Sequence, residues 1–219
     1  MRKIVFATAL AGAVAVCAQY RTSMAESVVR VPAPKVDESP TTAPASETAV
    51  LSGGCFWGMQ AVFQHVKGVR EAISGYTGGA ASAAHYDEVS TGTTGHAESI
   101  KVVFDPRVVS YGTLLRVYFS VAENPTELDY QGPDQGPQYR GEIWVQNREQ
   151  RKIATDYIHQ LTADHSFSAP IVTRVDAAMP FYLAERYHQN FATRHPDNPY
   201  IASIDAPKLR ALAQFFPAL

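Results

Sequence analysis

The apolar positions from residue 49 onward change period several times along the chain. Short apolar runs that end at glycine or at Asp-Pro are typical of strands, whereas the apolar residues between Phe56 and Val66 recur at helical spacing. Gly68 is expected to end that helix. The predicted strands are 49–51, 69–76, 100–104, 142–145 and 171–175.

Further stretches of the chain predict three more helices and two long loops. Ser110 and Asn147 each precede an apolar stripe of helical period and are expected to cap a helix. The apolar positions of residues 181–191 also recur at helical spacing and predict the last long helix. Residues 77–97 and 122–140 are predicted loops. Because these loops are longer than a simple connection requires, we expect them to build the functional site.

The order of these elements predicts the fold class. Up to residue 146 the order is β-α-β-β-α-β, which is the split βαβ pattern of ferredoxin-like folds. A helix, a strand and a helix follow it. We therefore predict an α+β domain over residues 49–219, with a ferredoxin-like core, an added C-terminal helix-strand-helix and the two long loops.

Residues 1–25 have the pattern of an export signal. Arg2 and Lys3 give a positive start, and residues 4–20 carry no charge and are mostly apolar. This run is short for a membrane span and suits a signal peptide. We expect an exported protein, periplasmic or secreted. The alternative is a membrane tether through an uncleaved N-terminus or through lipidation of Cys17.

Residues 26–48 lie between this signal and the domain. They contain four prolines in a mixture of Ser, Thr, Ala and Glu, with no aromatic residue and no glycine. Such a segment buries too little apolar surface to offset its ordering entropy. It is predicted to be a disordered linker.

Composition excludes several classes of function. The chain of 219 residues is 46% hydrophobic and 18% charged, which suits one globular domain with extra segments. A net charge of −2 provides no basic field for nucleic acid. The histidines show no metalloprotease spacing and no glycine-rich phosphate loop follows the required pattern, so neither a metal nor a nucleotide is expected.

Cys55 carries the strongest chemical signal in the chain. It lies in the sequence Gly-Gly-Cys-Phe-Trp-Gly at residues 53–58, where a predicted strand ends and a predicted helix begins. The positive end of a helix dipole favours thiolate, which is the reactive form of cysteine. From its position alone, the alternative is a buried structural cysteine.

The residues around Cys55 also carry a family resemblance. Gly-Cys-Phe-Trp-Gly is the signature of the A-type peptide methionine sulfoxide reductases, and further blocks resemble that family in the same order over roughly residues 49–205. The resemblance implies thiol-dependent reduction of methionine-S-sulfoxide, free or in proteins, and hence repair of oxidised proteins. The further blocks are 75–79, 86–89, 94–98, 131–140 and 187–189.

The resemblance implies two catalytic residues. Cys55 would attack the sulfoxide sulfur as thiolate and become a sulfenic acid, while the oxygen leaves as water. Glu98 matches the family's general acid, which must be protonated near neutral pH and therefore needs a pKa raised by burial. His96 and His188 lie in matching blocks and are interpreted as structural hydrogen-bonding residues.

Five further residues are implied to bind the substrate. Tyr86 and Tyr139 would donate hydrogen bonds to the sulfoxide oxygen, and Asp134 would order water and the thiol. Phe56 and Trp57 would form an aromatic wall against the substrate methyl group, a contact worth on the order of 1 kcal/mol.

The chain departs from the family pattern in two respects. Many relatives carry resolving cysteines near the C-terminus, but residues 56–219 contain none. We therefore expect an external thiol, from a thioredoxin-like protein or glutathione, to reduce the sulfenic acid of a monomer that binds no cofactor. Pro137 replaces a usual threonine, and Glu123-Asn124 replaces a usual His-Asp, which bears on the placement of Tyr139.

Two other functions compete with the reductase hypothesis. A binding protein for methionine sulfoxide would use the aromatic pocket without turnover, but such a protein needs no acid at Glu98. A cysteine hydrolase or acyltransferase would need a histidine base beside the thiol. His65, about three turns along the same predicted helix, is badly placed for that role.

Overall fold

The computed structural model describes residues 28–39 and 44–219. The strands are β1 Glu47–Ser52, β2 Val69–Thr77, β3 Ala97–Phe104, β4 Tyr130–Gln131, β5 Asp134–Gln135, β6 Glu142–Val145, β7 Arg174–Ala177 and β8 Phe181–Leu183. The α-helices are α1 Phe56–Gln64, α2 Tyr86–Val89, α3 Tyr111–Val117, α4 Arg148–Ala163, α5 Phe191–Arg194 and α6 Ala206–Phe215. Short 3₁₀ turns cover Ala81–Ala83 and Pro137–Tyr139, and π turns cover Tyr118–Ala122 and Ile201–Asp205.

One sheet of six strands organises the fold, in the order β7-β6-β1-β3-β2-β8. Neighbouring strands are antiparallel except for β6 and β7, which are parallel. The inner order β6-β1-β3-β2, with α1 joining β1 to β2 and α3 between β3 and β6, is that of a split βαβ core. The predicted α+β class with a ferredoxin-like core is confirmed. Strands β4 and β5 form a separate hairpin inside one of the predicted loops.

The two predicted helix caps are present. The Ser110 hydroxyl accepts the N–H of Thr113 at 3.1 Å, and the Asn147 side chain accepts the N–H of Gln150 at 2.8 Å. Each bond satisfies one of the N–H groups that a helix leaves open at its start. These caps fix where α3 and α4 begin.

The predicted helix over residues 181–191 is wrong. Residues 181–183 instead form β8, in which Phe181 pairs with Thr77 and Leu183 pairs with Gly75 of β2. Only the short α5 follows, and the last long helix is α6. A short apolar run fits a helix and a buried strand about equally well, and here the open edge of β2 decides between them.

Residues 28–39 differ from the predicted disordered linker, because they pack on the domain. Val31 is 1% exposed within the core, and its N–H donates to the Ser120 hydroxyl at 3.2 Å. Asp37 and Glu38 accept backbone N–H groups at the start of α3. The composition argument failed because helix ends elsewhere in the fold supply hydrogen bonds that a segment of this kind cannot make within itself.

The predicted export signal lies outside the described residues. Among residues 28–39 and 44–219, none of the helices combines the length and the apolar content that crossing a membrane requires.

Candidate active site

Cys55 lies at the junction of β1 and α1, in the N-cap position of the helix. Its φ of −57° and ψ of 122° are the non-helical values expected of an N-cap. The N–H of the preceding Gly54 donates to the carbonyl of Tyr139 at 3.1 Å. The loop that holds the thiol is therefore tied directly to the turn that holds a predicted substrate-binding tyrosine.

The two glycines before Cys55 are required by packing within the chain. A Cβ on Gly53 would lie 2.8 Å from the Cβ of Glu123, and one on Gly54 would lie 2.8 Å from the Cβ of Gln131. Gly54 also has a φ of +89°, which disfavours any residue with a side chain. The predicted loop 122–140 thus packs directly against the backbone that presents the thiol.

Glu98 lies beside the start of α1. Strand register places it one residue beyond the end of β1, and its Oε2 accepts the N–H of Phe56 at 3.0 Å. Glu98 is only 3% exposed, and burial raises its pKa to about 8, with Asp134 and Asp205 adding to the rise. At neutral pH the carboxyl group is therefore mostly protonated, as a general acid must be.

The electrostatics at Cys55 favour a neutral thiol in the resting site. Cys55 keeps a partly exposed surface, yet burial raises the pKa of its thiol well above the ordinary value. Glu98 in its ionised form and Asp205 raise it further, while the N–H of Trp57 lowers it. Burial and these carboxylates outweigh the helix dipole, which alone favours thiolate.

Trp57 is held by an aromatic cluster from the C-terminal part of the chain. Its ring stacks on Phe191 with centroids 3.8 Å apart and meets Tyr200 edge-on at 6.0 Å. Its indole N–H donates to Nδ1 of His188 at 3.0 Å. These contacts fix the orientation of a ring that is partly exposed beside the thiol.

Phe56 occupies a different position from the one expected of a wall residue. It is 1% exposed, and its ring packs against Tyr76 at 5.7 Å and His188 at 5.0 Å between centroids. Of the predicted aromatic pair, Trp57 alone presents open surface. Phe56 lies beneath the site and supports it.

The two predicted loops bring the remaining residues to the same place. Tyr86 begins α2 and Tyr139 ends a 3₁₀ turn. Burial raises the pKa of Tyr86 to about 12 and that of Tyr139 still further, and the charges of Glu98 and Cys55 contribute to both shifts. The two phenols therefore lie near Cys55 and Glu98, since the ionised forms of those groups contribute to both shifts. Asp134, in β5, accepts a hydrogen bond from the Tyr200 hydroxyl.

The two histidines of the matching blocks make structural hydrogen bonds. His96 accepts the N–H of Gly79 at 3.2 Å and lies 2.9 Å from the carbonyl of Ala80, which secures the start of one predicted loop. His188 accepts the indole N–H of Trp57. Both histidines thus make hydrogen bonds of the kind expected, and that of His188 holds a predicted site residue.

Pro137 and Glu123, two departures from the family pattern that bear on the placement of Tyr139, both fit their surroundings. Pro137 opens the 3₁₀ turn at a position where its missing N–H costs no hydrogen bond, and the N–H of Tyr139 donates to Gly136 at 3.0 Å. Glu123 is 5% exposed and accepts the Thr173 hydroxyl at 2.6 Å. The turn that ends at Tyr139 therefore forms with proline at residue 137.

Sequence reasoning missed four residues that shape the site. Glu185 holds Tyr86 by accepting its N–H at 2.9 Å, and Asp205 is a carboxylate, 1% exposed, whose charge acts on Cys55. Phe191 and Tyr200 hold Trp57. The only signal for Tyr200 was an aromatic residue after an Asn-Pro turn, and nothing in the local sequence of the others distinguishes them.

In the part of the chain that the structure describes, no group of three His, Cys, Asp or Glu side chains is arranged to hold a metal ion. Cys55 is the free cysteine of these residues. The described site brings together one thiol, one buried carboxylic acid and the phenols around them.

The family model that matches this chain and its similar relatives carry the same description. The family model described as peptide methionine sulfoxide reductase matches residues 47–217. A peptide methionine sulfoxide reductase MsrA 2 of Mesorhizobium japonicum is 57% identical over 177 residues, which cover 81% of this chain and 91% of the relative. An MsrA of Thermus thermophilus is 43% identical over 79% of this chain and 97% of its own length.

Solved structures show the same likeness. Reduced Mxr1 of Saccharomyces cerevisiae has a TM-score of 0.64 at 26% identity and covers 75% of this chain and 92% of its own. Methionine sulfoxide reductase A of Corynebacterium diphtheriae has a TM-score of 0.59 at 28% identity, covering 79% and 87%. With a matching family model across most of its length, this chain belongs to the A-type peptide methionine sulfoxide reductases and is an oxidoreductase that reduces methionine sulfoxide.

Proposed function

We propose that this enzyme reduces the S epimer of methionine sulfoxide, free or in proteins, through a cycle that uses Cys55 alone and passes through its sulfenic acid. The observation that carries the proposal is the pairing of a single thiol with a protonated, buried Glu98 at the start of one helix. The first step of the proposed reaction begins with a protonated Cys55 thiol and a protonated Glu98 carboxyl group.

In the first step the Cys55 sulfur bonds to the sulfoxide sulfur as the thiol loses its proton. Glu98 gives its proton to the sulfoxide oxygen, which leaves as water once the thiol proton has also been transferred to it. Water then attacks the Cys55 sulfur, the sulfur–sulfur bond breaks, and methionine departs with the electron pair. The net change is thiol plus sulfoxide to sulfenic acid plus thioether, and the proton released by water returns to Glu98.

Tyr86 and Tyr139 support this step as donors to the oxygen. Their raised pKa values keep both phenols protonated at neutral pH, so that each has an O–H to donate. Trp57 faces the substrate methyl group, and its orientation is set by Phe191 and His188. Phe56 contributes by supporting this ring cluster from below.

An external thiol completes the cycle. The first reductant thiol attacks the sulfenic acid and releases water, and a second thiol then frees Cys55 as the reductant is oxidised to its disulfide. A thioredoxin-like protein supplies both thiols from one molecule, and glutathione supplies them from two. The support for this step is that the described domain holds Cys55 and no second cysteine.

We further propose that the enzyme works as an exported monomer. The support is the charged start and apolar run of residues 1–20, which suit a signal peptide. Fusing residues 1–27 to a reporter that is active only after export should give signal, and replacing Arg2 and Lys3 by Glu should reduce it. A fusion with the unchanged residues 1–27 that stays in the cytoplasm would contradict export. A dimeric mass measured by light scattering would contradict the proposed monomer.

The experiment that tests the activity supplies each pure epimer of N-acetylmethionine sulfoxide with dithiothreitol as reductant. The expected result is reduction of the S epimer by the wild type and loss of that activity in Cys55→Ser. The Cys17→Ser variant serves as the matched control and should keep full activity. Equal rates with both epimers would contradict the proposed selectivity, and activity in Cys55→Ser would contradict the proposed nucleophile.

A further inference from the structure

We propose that Asp205 is a positioning residue of the reductase reaction, whose buried carboxylate lies against the first turn of α1 and acts on Cys55 and Glu98 from the C-terminal part of the chain. This proposal rests on the proposed function and adds to it a residue outside the predicted site. Asp205 ends the π turn Ile201–Asp205, immediately before α6.

The first argument is geometric. Asp205 is 1% exposed, and a Cβ built on Gly58 would lie 2.1 Å from its Oδ1. Gly58 is the third residue of α1, three positions after Cys55. The Asp205 carboxylate therefore fills the space of the missing side chain. A glycine inside a helix is less favourable than alanine, and here it makes room for a carboxylate beside the helix start.

The second argument is the reach of that charge. After burial and Glu98, Asp205 is the next contributor that raises the pKa of Cys55. It also helps to raise the pKa of Glu98 and that of Tyr200. One carboxylate from the C-terminal part of the chain thus acts on the nucleophile, on the acid and on the tyrosine that touches Trp57.

Charged and titratable groups of other elements lie in the region on which Asp205 acts. Cys55 lies at the start of α1, Glu98 on β3 and Asp134 on β5. Lys208 lies one turn further along α6, is 3% exposed, and donates from Nζ to the carbonyl of Ala122 at 3.0 Å.

This arrangement affects how readily Cys55 is oxidised by peroxide. A thiolate reacts with peroxide, whereas a neutral thiol is much less reactive. A carboxylate that holds Cys55 protonated reserves the sulfur for a sulfoxide bound in the pocket. The same charge keeps the proton on Glu98, where the substrate oxygen needs it.

The test compares the full-length wild type with Asp205→Asn, using iodoacetamide alkylation of reduced Cys55 across pH 6–11. We expect the alkylation midpoint of the variant to lie about one pH unit lower, so that alkylation at pH 7 is about tenfold faster. The pH at which single-turnover methionine formation declines should move down by a similar amount. Asp105→Asn, which breaks ion pairs with Arg70 and Arg107 at the far end of β3, should change neither profile.

A second variant covers the case in which Asp205→Asn does not fold. Gly58→Ala displaces the carboxylate by its Cβ and should shift alkylation in the same direction. An unshifted alkylation midpoint in whichever variant folds would overturn the role of Asp205, even with an active wild type. Absence of methionine formation by the wild type would instead overturn the proposed function, whatever the alkylation shows.

Discussion

At the scale of single residues, the site depends on two groups that hold protons more tightly than usual. Glu98 is buried with a pKa of about 8, and the pKa of Cys55 is also raised. The sequence motifs located both residues, but the dipole argument predicted a thiolate. It failed because burial raises the pKa of the thiol most, and carboxylates from distant parts of the chain, Asp205 and Asp134 among them, add to the rise. Burial and this proximity are properties of the fold.

Replacing Glu98 by Gln tests the acid directly. Gln keeps an oxygen that can accept the N–H of Phe56 but has no proton of suitable acidity to give. We expect single-turnover methionine formation to slow by roughly 10²–10⁴-fold, the usual range for a general acid. Glu71→Gln, at an exposed position on β2, is the control and should match the wild type. A Glu98→Gln rate within twofold of the wild type would contradict the assignment.

The pH dependence of the wild type follows from the same group. Because the reaction needs the protonated form and the pKa of Glu98 is raised to about 8, the single-turnover rate should decline as pH rises through about 8. The Glu98→Gln variant should lack this decline. Stopped reactions analysed between pH 6 and 10 give the profile. A wild-type rate that climbs steadily through that range would show that Glu98 is not the limiting acid.

Trp57 should determine the affinity for substrate more than the rate of chemistry. Trp57→Ala removes the only open aromatic surface of the predicted pair, and we expect KM for methionine sulfoxide to rise roughly tenfold, or about 1.4 kcal/mol. Trp57→Phe keeps the stacking on Phe191 but loses the hydrogen bond to His188. Its KM should therefore lie between those of the wild type and Trp57→Ala. An unchanged KM in Trp57→Ala would place the methyl group elsewhere.

At the scale of elements, the sequence correctly predicted the features that depend on interactions within one element. The caps at Ser110 and Asn147 and the strand order of the core were confirmed, because period and capping chemistry act within one element. The helix predicted over 181–191 was wrong, because pairing with β2 is decided by residues more than a hundred positions earlier. The docking of residues 28–39 was missed for the same reason.

The docked segment should contribute to the stability of the domain. Val31 is buried at 1% exposure, whereas Val36 in the same segment is 37% exposed. We expect Val31→Ala to lower the free energy of unfolding by about 2 kcal/mol, the scale for truncating a buried aliphatic side chain. Val36→Ala is the matched control and should change it by less than about 0.5 kcal/mol. Urea titration of both variants measures the difference, and equal values would argue against docking in solution.

Glu38 makes this docking sensitive to pH. Burial raises its pKa to about 7, against an ordinary value of 4.5. Its contribution to stability is therefore fully present below about pH 4.5 and is lost as pH rises through about 7. Glu38→Gln cannot titrate, so its melting temperature relative to wild type should increase between pH 5 and pH 8. A difference that is constant across this range, measured by calorimetry, would contradict the shift.

At the scale of the whole molecule, the C-terminal part of the chain completes a site that the N-terminal half begins. Cys55 and Glu98 belong to the ferredoxin-like core, whereas Phe191, Tyr200 and Asp205 come from the region after β8. In the described residues, that region supplies the aromatic contacts that hold Trp57 and the buried carboxylate of Asp205. In the proposed one-cysteine cycle, a second molecule therefore supplies the reducing thiols.

The single-turnover stoichiometry of the reduced, full-length enzyme tests this one-cysteine cycle most directly. Reduced protein is mixed with excess methionine-S-sulfoxide in the absence of reductant, and methionine and remaining thiol are counted per chain. The account predicts about one methionine per chain, with Cys55 trapped by dimedone as a sulfenic acid and Cys17 unchanged. No methionine with the thiol intact, or methionine accompanied by a disulfide between Cys17 and Cys55, would contradict it.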